Sequence, residues 1–267
     1  MKLRTLVIAL AVAATPAVVT ADRLTDKDLR QLVARIEDGR DRFDDALDDK
    51  IKDAVFRGES GEVDMEHFLN DFQASIDRVE ERLTPEYSAS TEAAALLRYG
   101  SAIERFFRQQ PAGTKGESEW NRLAADLKIF AAAYGADFPL RDGDTVRRMG
   151  DREVASAADG VAKAIDKLED ALEDDLDGDN ASASKSAREA VDRDLDDLAK
   201  DAKQLRDRVK DGKPSSAEAE RVLTRAARIQ SFIAGHRTPR AATEWRGVAT
   251  DLETIAVAYR APWPASR

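Results

Sequence analysis

Carboxylates are the reactive groups this chain has most of. Asp41, Asp45, Asp49 and Asp53 recur at every fourth residue, with Asp44 and Asp48 beside them. Asp166, Asp170 and Asp174 recur in the same way further on, flanked by Glu169 and Glu173. On a helix this spacing gathers the acids on one face. Like charges there destabilise the helix by about 0.2–0.5 kcal/mol per pair, and near its C-terminal end the macrodipole disfavours them as well. A costly feature present twice suits a binder of divalent cations or of a basic partner. The plainer reading, and the one preferred, is a solvated face partly neutralised by Arg40, Arg42, Lys50 and Lys52. The run from Glu173 to Asn180 sharpens the cation alternative. Counted from Glu173, oxygen ligands fall at loop positions one, three and five, with Gly178 at six, as in an EF-hand. The twelfth position is Ser184, where that loop needs a bidentate Glu. A calcium site built on Glu173, Asp175, Asp177 and Asp179 is therefore the alternative, and an acidic turn closing a helix is the preferred expectation.

Other candidates have plainer readings too. His67 follows Asp64 by three residues, a spacing that could put two ligands on one helical face, but two ligands make a poor site. His236 stands alone, and both histidines are expected at the surface. Asp126 and Asp251 each precede a core Leu; without a His or second acid at a matched position, they suit hydrogen bonding between helices better than proton transfer. There is no cysteine, hence no disulfide, thiolate metal site or cysteine nucleophile. No Ser/His/Asp order, phosphate-binding loop or dinucleotide glycine motif occurs. No catalytic residue and no cofactor is assigned, and the chain is not expected to be an enzyme.

The elements that carry these residues come from an internal repeat. Shifted by 125 residues, Arg23-Leu24-Thr25-Asp26 lies over Arg148-Met149-Gly150-Asp151, and Phe43-Asp44-Asp45-Ala46-Leu47 over Leu168-Glu169-Asp170-Ala171-Leu172. One inserted residue moves the offset to 126, where Leu97, Ile103 and Phe106 meet Leu223, Ile229 and Phe232. At 125 again, Trp120, Asp126, Leu127 and Tyr134 meet Trp245, Asp251, Leu252 and Tyr259. Such order over most of the chain is the signature of duplicated supersecondary structure.

Each copy reads as four helices. In the first they run about Thr25 to Phe56, Val63 to Leu83, Thr91 to Arg108, and onward from Ser118. Apolar residues step by three and four, as in Met65, Leu69, Phe72, Ile76, Val79 and Leu83, or Val191, Leu195, Leu198, Ala202, Leu205 and Val209. No alternation of strand type competes with them. Thr84-Pro85, Pro111-Ala112-Gly113, Asp211-Gly212-Lys213-Pro214 and Thr238-Pro239 supply the breaks. Ser118 and Thr243 are expected N-caps, and Asp144 a possible cap of a helix running into the second copy. Trp120 and Tyr134, like Trp245 and Tyr259, share a stripe with a core Leu, so they are expected as core anchors rather than a ligand pocket. The fold expected is all-α: two tandem up-down four-helix bundles, 22–140 and 141–267.

Lys2, Arg4, the apolar run from Leu6 to Val19 and the small residues up to Ala21 read as a signal peptide over 1–21. Its removal takes two positive charges and no acids, so the net charge goes from −10 to −12. That balance argues against nucleic acid as a partner. No later apolar run reaches membrane-spanning length, so no transmembrane segment is expected in the mature chain. A periplasmic or secreted location follows.

The paired endings Trp120-x6-Leu127-x6-Tyr134 and Trp245-x6-Leu252-x6-Tyr259, with the Asp-Lys/Arg-Asp/Glu-Leu/Val start of each copy, resemble uncharacterised exported bacterial helical-bundle proteins. The resemblance implies export and fold, and no activity. Interaction with an unidentified protein or envelope component, or a structural part, is the functional expectation; divalent-cation binding is the alternative.

Overall fold

The computed structural model describes residues 23–58, 61–177 and 183–263. The expected signal peptide, and Gly178, Asp179 and Asn180 of the acidic run, lie outside them. The chain is predominantly helical. In order come α1 (Asp26–Ala46), α2 (Asp49–Lys52), β1 (Val55–Gly58), β2 (Gly61–Asp64), α3 (Met65–Arg82), α4 (Ser90–Phe107) and α5 (Glu117–Ala133). After an irregular stretch follow α6 (Asp151–Leu176), α7 (Lys185–Lys210), α8 (Ser216–Gly235) and α9 (Pro239–Tyr259).

The opening helix expected to reach Phe56 stops at Ala46 instead. Its last turn holds no basic residue, and Asp48 turns its carboxylate to the Ile51 N–H (3.1 Å) to cap the separate turn α2. An aspartate able to bond its own backbone favours a cap over a helix interior. The chain then forms a hairpin that no sequence alternation had suggested, β1 antiparallel to β2 with Val55 opposite Asp64. Two expected caps also move. Helix α5 starts behind Gly116, whose φ of +86° and lack of Cβ are both required, because a Cβ there would lie 2.6 Å from Leu47 Cδ2. Thr243 lies inside α9, which begins at Pro239 behind Thr238. Asp144 caps no helix; it closes a turn, accepting the Arg141 N–H at 2.8 Å.

Two sets of buried side chains form separate cores. Around the first, α1 packs on α5 and α3, α3 on α4, and α4 on α5. Around the second, α6 packs on α7 and α9, α7 on α8, and α8 on α9. The largest fully buried side chains, Trp120, Tyr134, Phe43, Phe68, Phe72 and Phe130 among them, all belong to the first. Trp120 lies 5.4 Å from Phe43 and stacks on Phe107 at 6.3 Å. Its Nε1 donates to Glu104 at 2.7 Å. In the second core alanines fill much of the space, from Ala155 in α6 to Ala256 in α9. Trp245 is 4% exposed, and its buried Nε1 has no hydrogen-bond acceptor among the described residues.

The cores meet where α1 and α6 begin. Arg148 Nη1 donates to Asp26 Oδ1 at 2.5 Å, and its Nη2 to the Leu24 carbonyl at 2.7 Å. Arg23, 125 residues earlier, does the same in reverse: Nη1 to Asp151 Oδ1 at 2.5 Å and Nη2 to the Met149 carbonyl at 2.6 Å. The helix starts complete the exchange. Asp26 N–H donates to Asp151 Oδ2 (2.8 Å) and Asp151 N–H to Asp26 Oδ2 (3.1 Å). Each carboxylate thus sits over the other helix's positive end, where an anion is favoured. Contacts in which i meets j and j meets i are what a two-fold axis produces. Burial and the neighbouring Arg23 charge push the Arg148 guanidinium pKa down, while Asp26 and Asp151 act against that shift.

Candidate functional site

Several of the acids weighed as an alternative cation site are engaged with the protein itself. Asp175 accepts the Arg240 and Ala241 N–H groups at 2.9 and 3.0 Å, and so caps the start of α9. Asp174 pairs with Arg240. Asp177 pairs with Arg188 at 3.6 Å. Glu173 and Asp175 lie within α6, which runs on to Leu176, so they belong to a helix rather than to a ligand loop. Among the described residues no group of three or more potential ligands is placed to hold a metal ion. Near the end of α1, Asp44 bonds Arg40 at 3.4 Å and Lys52 at 3.2 Å, and Asp41 bonds Arg40 at 3.0 Å.

Negative potential does persist in one place. Glu169, Glu173 and Asp177 of the α6 end face Asp192 and Asp196 of α7 across a cavity of about 510 Å³, with Arg188 at its edge. Burial, then Asp196 and the other acids nearby, raises the Glu169 pKa; burial, then Asp196 and Glu189, raises that of Asp192. Mutual repulsion of this kind eases when one group takes a proton.

Asp126 and Asp251, matched in sequence, differ in company. Asp126 pairs with Arg35 of α1 at 3.2 Å. Position 160, 35 + 125, is glycine, and a Cβ there would lie 2.2 Å from Asp251 Oδ2. Asp251 rests against that gap with its pKa raised by burial. His67 is exposed and bonds Asp64, the cap of α3, at 3.1 Å. His236 stacks on Phe232 at 4.2 Å and bonds its carbonyl at 2.8 Å. Tyr134 and Tyr259 are buried, as expected of core anchors. Their hydroxyls meet the Ser88 carbonyl at 2.7 Å and Ser215 Oγ at 2.6 Å.

Two features escaped the sequence reading. One is the arginine–aspartate clasp at the starts of α1 and α6. Its signal was visible: Arg23 and Asp26 recur unchanged as Arg148 and Asp151, while the neighbouring Leu24 and Leu29 become Met149 and Val154. The other is a cleft of about 500 Å³ beside α4, lined by Arg98, Arg105 and Arg141 with Phe68 and Tyr99. Helix-face arginines are hard to tell from ordinary solvated charge before the opposing loop is placed. No protein-family model, curated protein or solved structure matches the chain.

Proposed function

We propose that this is a non-catalytic exported protein that acts by binding another macromolecule or as a structural component, built as two up-down four-helix bundles of one repeated plan. The reading rests on one observation above others: the described buried hydroxyl and charged side chains are bonded within the helical framework, at helix ends, between helices or along a helix. Thr25 caps α1, and Asp26 and Arg148 clasp α1 to α6. Ser75 and Ser101 bond carbonyls of their own helices. Asp201 holds Arg221 and Arg225 of α8, Ser215 meets Tyr259, and Thr238 bonds the Ile233 carbonyl at 3.3 Å. None of these is held ready for a substrate.

The repeat part of the proposal draws support from matched contacts. Trp120 and Trp245 both lie buried in the last helix around their core, α5 and α9. Arg82 pairs with Glu92 at 3.5 Å, and 126 residues later Arg208 pairs with Glu218 at 3.3 Å. Export rests on the N-terminal sequence pattern alone. Of the acids that would bind calcium, Asp175 caps α9 and Asp177 pairs with Arg188, which favours the interaction reading over the cation reading.

Affinity capture on the mature chain from envelope extracts tests the proposal, with a calcium titration of metal-free protein alongside. A partner retained in fixed stoichiometry, with no saturable calcium heat, supports it. Recovery of the chain alone, with saturable calcium heat lost in Asp175→Asn/Asp177→Asn, replaces it with the cation binder.

A further inference from the structure

The cleft beside α4 has a charge pattern at odds with the rest of the chain. Arg98 and Arg105 stand seven residues apart on α4, two helical turns, and so share a face. Arg141 reaches the same cleft from the loop that crosses α4. None of the three guanidiniums pairs with a carboxylate among the described residues. Two aspartates also line the cleft; Asp144 is bonded to the Arg141 backbone, and arginine remains in excess by one. Between the arginines lie apolar groups: Phe68 and Tyr99, whose rings meet edge-on at 5.2 Å, with Ala94, Ala102, Leu140 and Val146.

The walls are fixed before any ligand arrives. Buried Ser101 Oγ donates to the Leu97 carbonyl at 2.6 Å and accepts the Leu140 N–H at 2.8 Å, tying the loop to the helix. Gly100 lets the loop approach, since a Cβ there would sit 2.8 Å from Leu127 and 3.2 Å from Phe138. The reciprocal turn between Arg141 and Asp144 then sets where Arg141 leaves the backbone. Such preorganisation lowers the ordering cost of binding, and the volume falls within the range of small-molecule sites, roughly 300–1,000 Å³.

The second half lacks the arrangement. The residues 126 positions after Phe68 and Tyr99 are Asp194 and Arg225, paired to each other at 3.5 Å. Those after Arg98 and Arg105 are Thr224 and Ser231. Where the second half pairs charges across α7 and α8 at these positions, the first leaves Arg98 and Arg105 without a carboxylate partner among the described residues, beside an apolar lining.

We propose that this cleft binds a small organic anion, a phosphate or carboxylate carried on an apolar or aromatic body. The arginines take the anionic oxygens, for which their forked donors are suited, and the apolar lining around Tyr99, Leu140 and Val146 takes the body. With a net charge of −10 the overall field repels anions, so recognition comes from the cleft itself. The inference is independent of the macromolecular role proposed above.

Isothermal titration of the mature chain with 1-naphthyl phosphate, inorganic phosphate and 1-naphthol tests it. Saturable one-to-one binding of naphthyl phosphate is expected, with each of the other probes weaker by about tenfold or more. Arg98→Gln/Arg105→Gln, at exposed positions and checked for unchanged circular dichroism, should weaken naphthyl phosphate by about tenfold. Arg141→Gln should weaken it in the same direction, and Arg237→Gln, an equal charge change in the other half, should leave it unaltered. Absence of saturable heat, equal binding of the three probes, or indifference to the α4 arginines would overturn the proposal.

Discussion

The contact of α3 with α4 around the first core and that of α7 with α8 around the second are held by different chemistry. In the first half Phe68 meets Tyr99, and Ser75 bonds only its own helix at Phe72. In the second, Asp194, Asp197 and Asp201 of α7 form a ladder with Arg221, Arg225 and Arg228 of α8, at 2.7 to 3.7 Å. The same helix packing can thus be closed by aromatic burial or by charge. Aromatic burial is non-directional and grows with area. A half-buried ion ladder is directional and contributes little net stability once desolvation is counted. The first half should therefore be the more stable, with the clasp between Arg23, Asp26, Arg148 and Asp151 transmitting that stability to the second.

The largest effect is expected at the clasp. Arg148→Ala leaves the Asp26 carboxylate buried without its partner, and should cost about 3–5 kcal/mol in urea unfolding of the whole chain. Adding Asp26→Ala to that variant should restore part of the loss, because the orphaned charge is gone. A cost below about 1 kcal/mol would place the clasp among ordinary surface pairs.

The two tryptophans sharpen the comparison next. Trp120→Phe removes packing and a hydrogen bond to a carboxylate, and should cost about 2–3 kcal/mol. Trp245→Phe removes a buried donor that has no acceptor, so its smaller cost should stay under about 1 kcal/mol. Equal costs would mean that the two cores respond alike.

The matched aspartates should differ by less. Asp126→Asn gives up a partly exposed pair with Arg35, worth about 0–1 kcal/mol. Asp251→Asn removes a half-buried charge with no counter-charge among the described residues, and should raise the melting temperature at neutral pH. A fall at Asp251 would show that its carboxylate has a stabilising role that the geometry does not account for.

The pH dependence is the subtlest test. Glu169 and Asp192 hold protons more tightly folded than unfolded. Their contribution to stability therefore grows as pH falls through the window just above ordinary carboxylate values, and is lost as pH rises through their raised pKa. Asp159 works in the opposite sense. Hydrogen bonds from Lys163 and Arg206 hold it at about 2, so its contribution is present above its unfolded value and lost as pH falls towards 2. Glu169→Gln/Asp192→Asn should raise the melting temperature at neutral pH and flatten its rise on mild acidification. An unchanged pH profile would remove the acidic face between α6 and α7 from the account.

Much of the helix layout was legible because apolar periodicity and turn residues pointed the same way. The stripe from Met65 to Leu83 is buried over its whole length, and Thr84-Pro85 ends it as expected. The hairpin after α2 was not legible, because its strands are four residues each and one lies beside the acidic stripe. The acidic run at Glu173 read as the closing turn of a helix with a calcium loop as the alternative; buried Leu172 and Leu176 carry the helix as far as Leu176, with Asp177 as its cap. The clasp was written in the repeat, yet only packing shows that Arg23 serves the opposite half. The arginine cleft needed the 140–146 loop, whose course depends on long-range contacts such as Phe138 against Gly100.

Residue-resolved hydrogen exchange on the intact chain tests the central comparison most directly. The account predicts that the slowest amides, those opening only with global unfolding, lie in α3, α4 and α5 around Phe72, Leu97 and Leu127, with α7 and α8 exchanging through smaller openings. If the slowest amides lie instead in α7 and α8, then the ion ladder, and not the aromatic core, is the stronger closure, and the comparison is wrong.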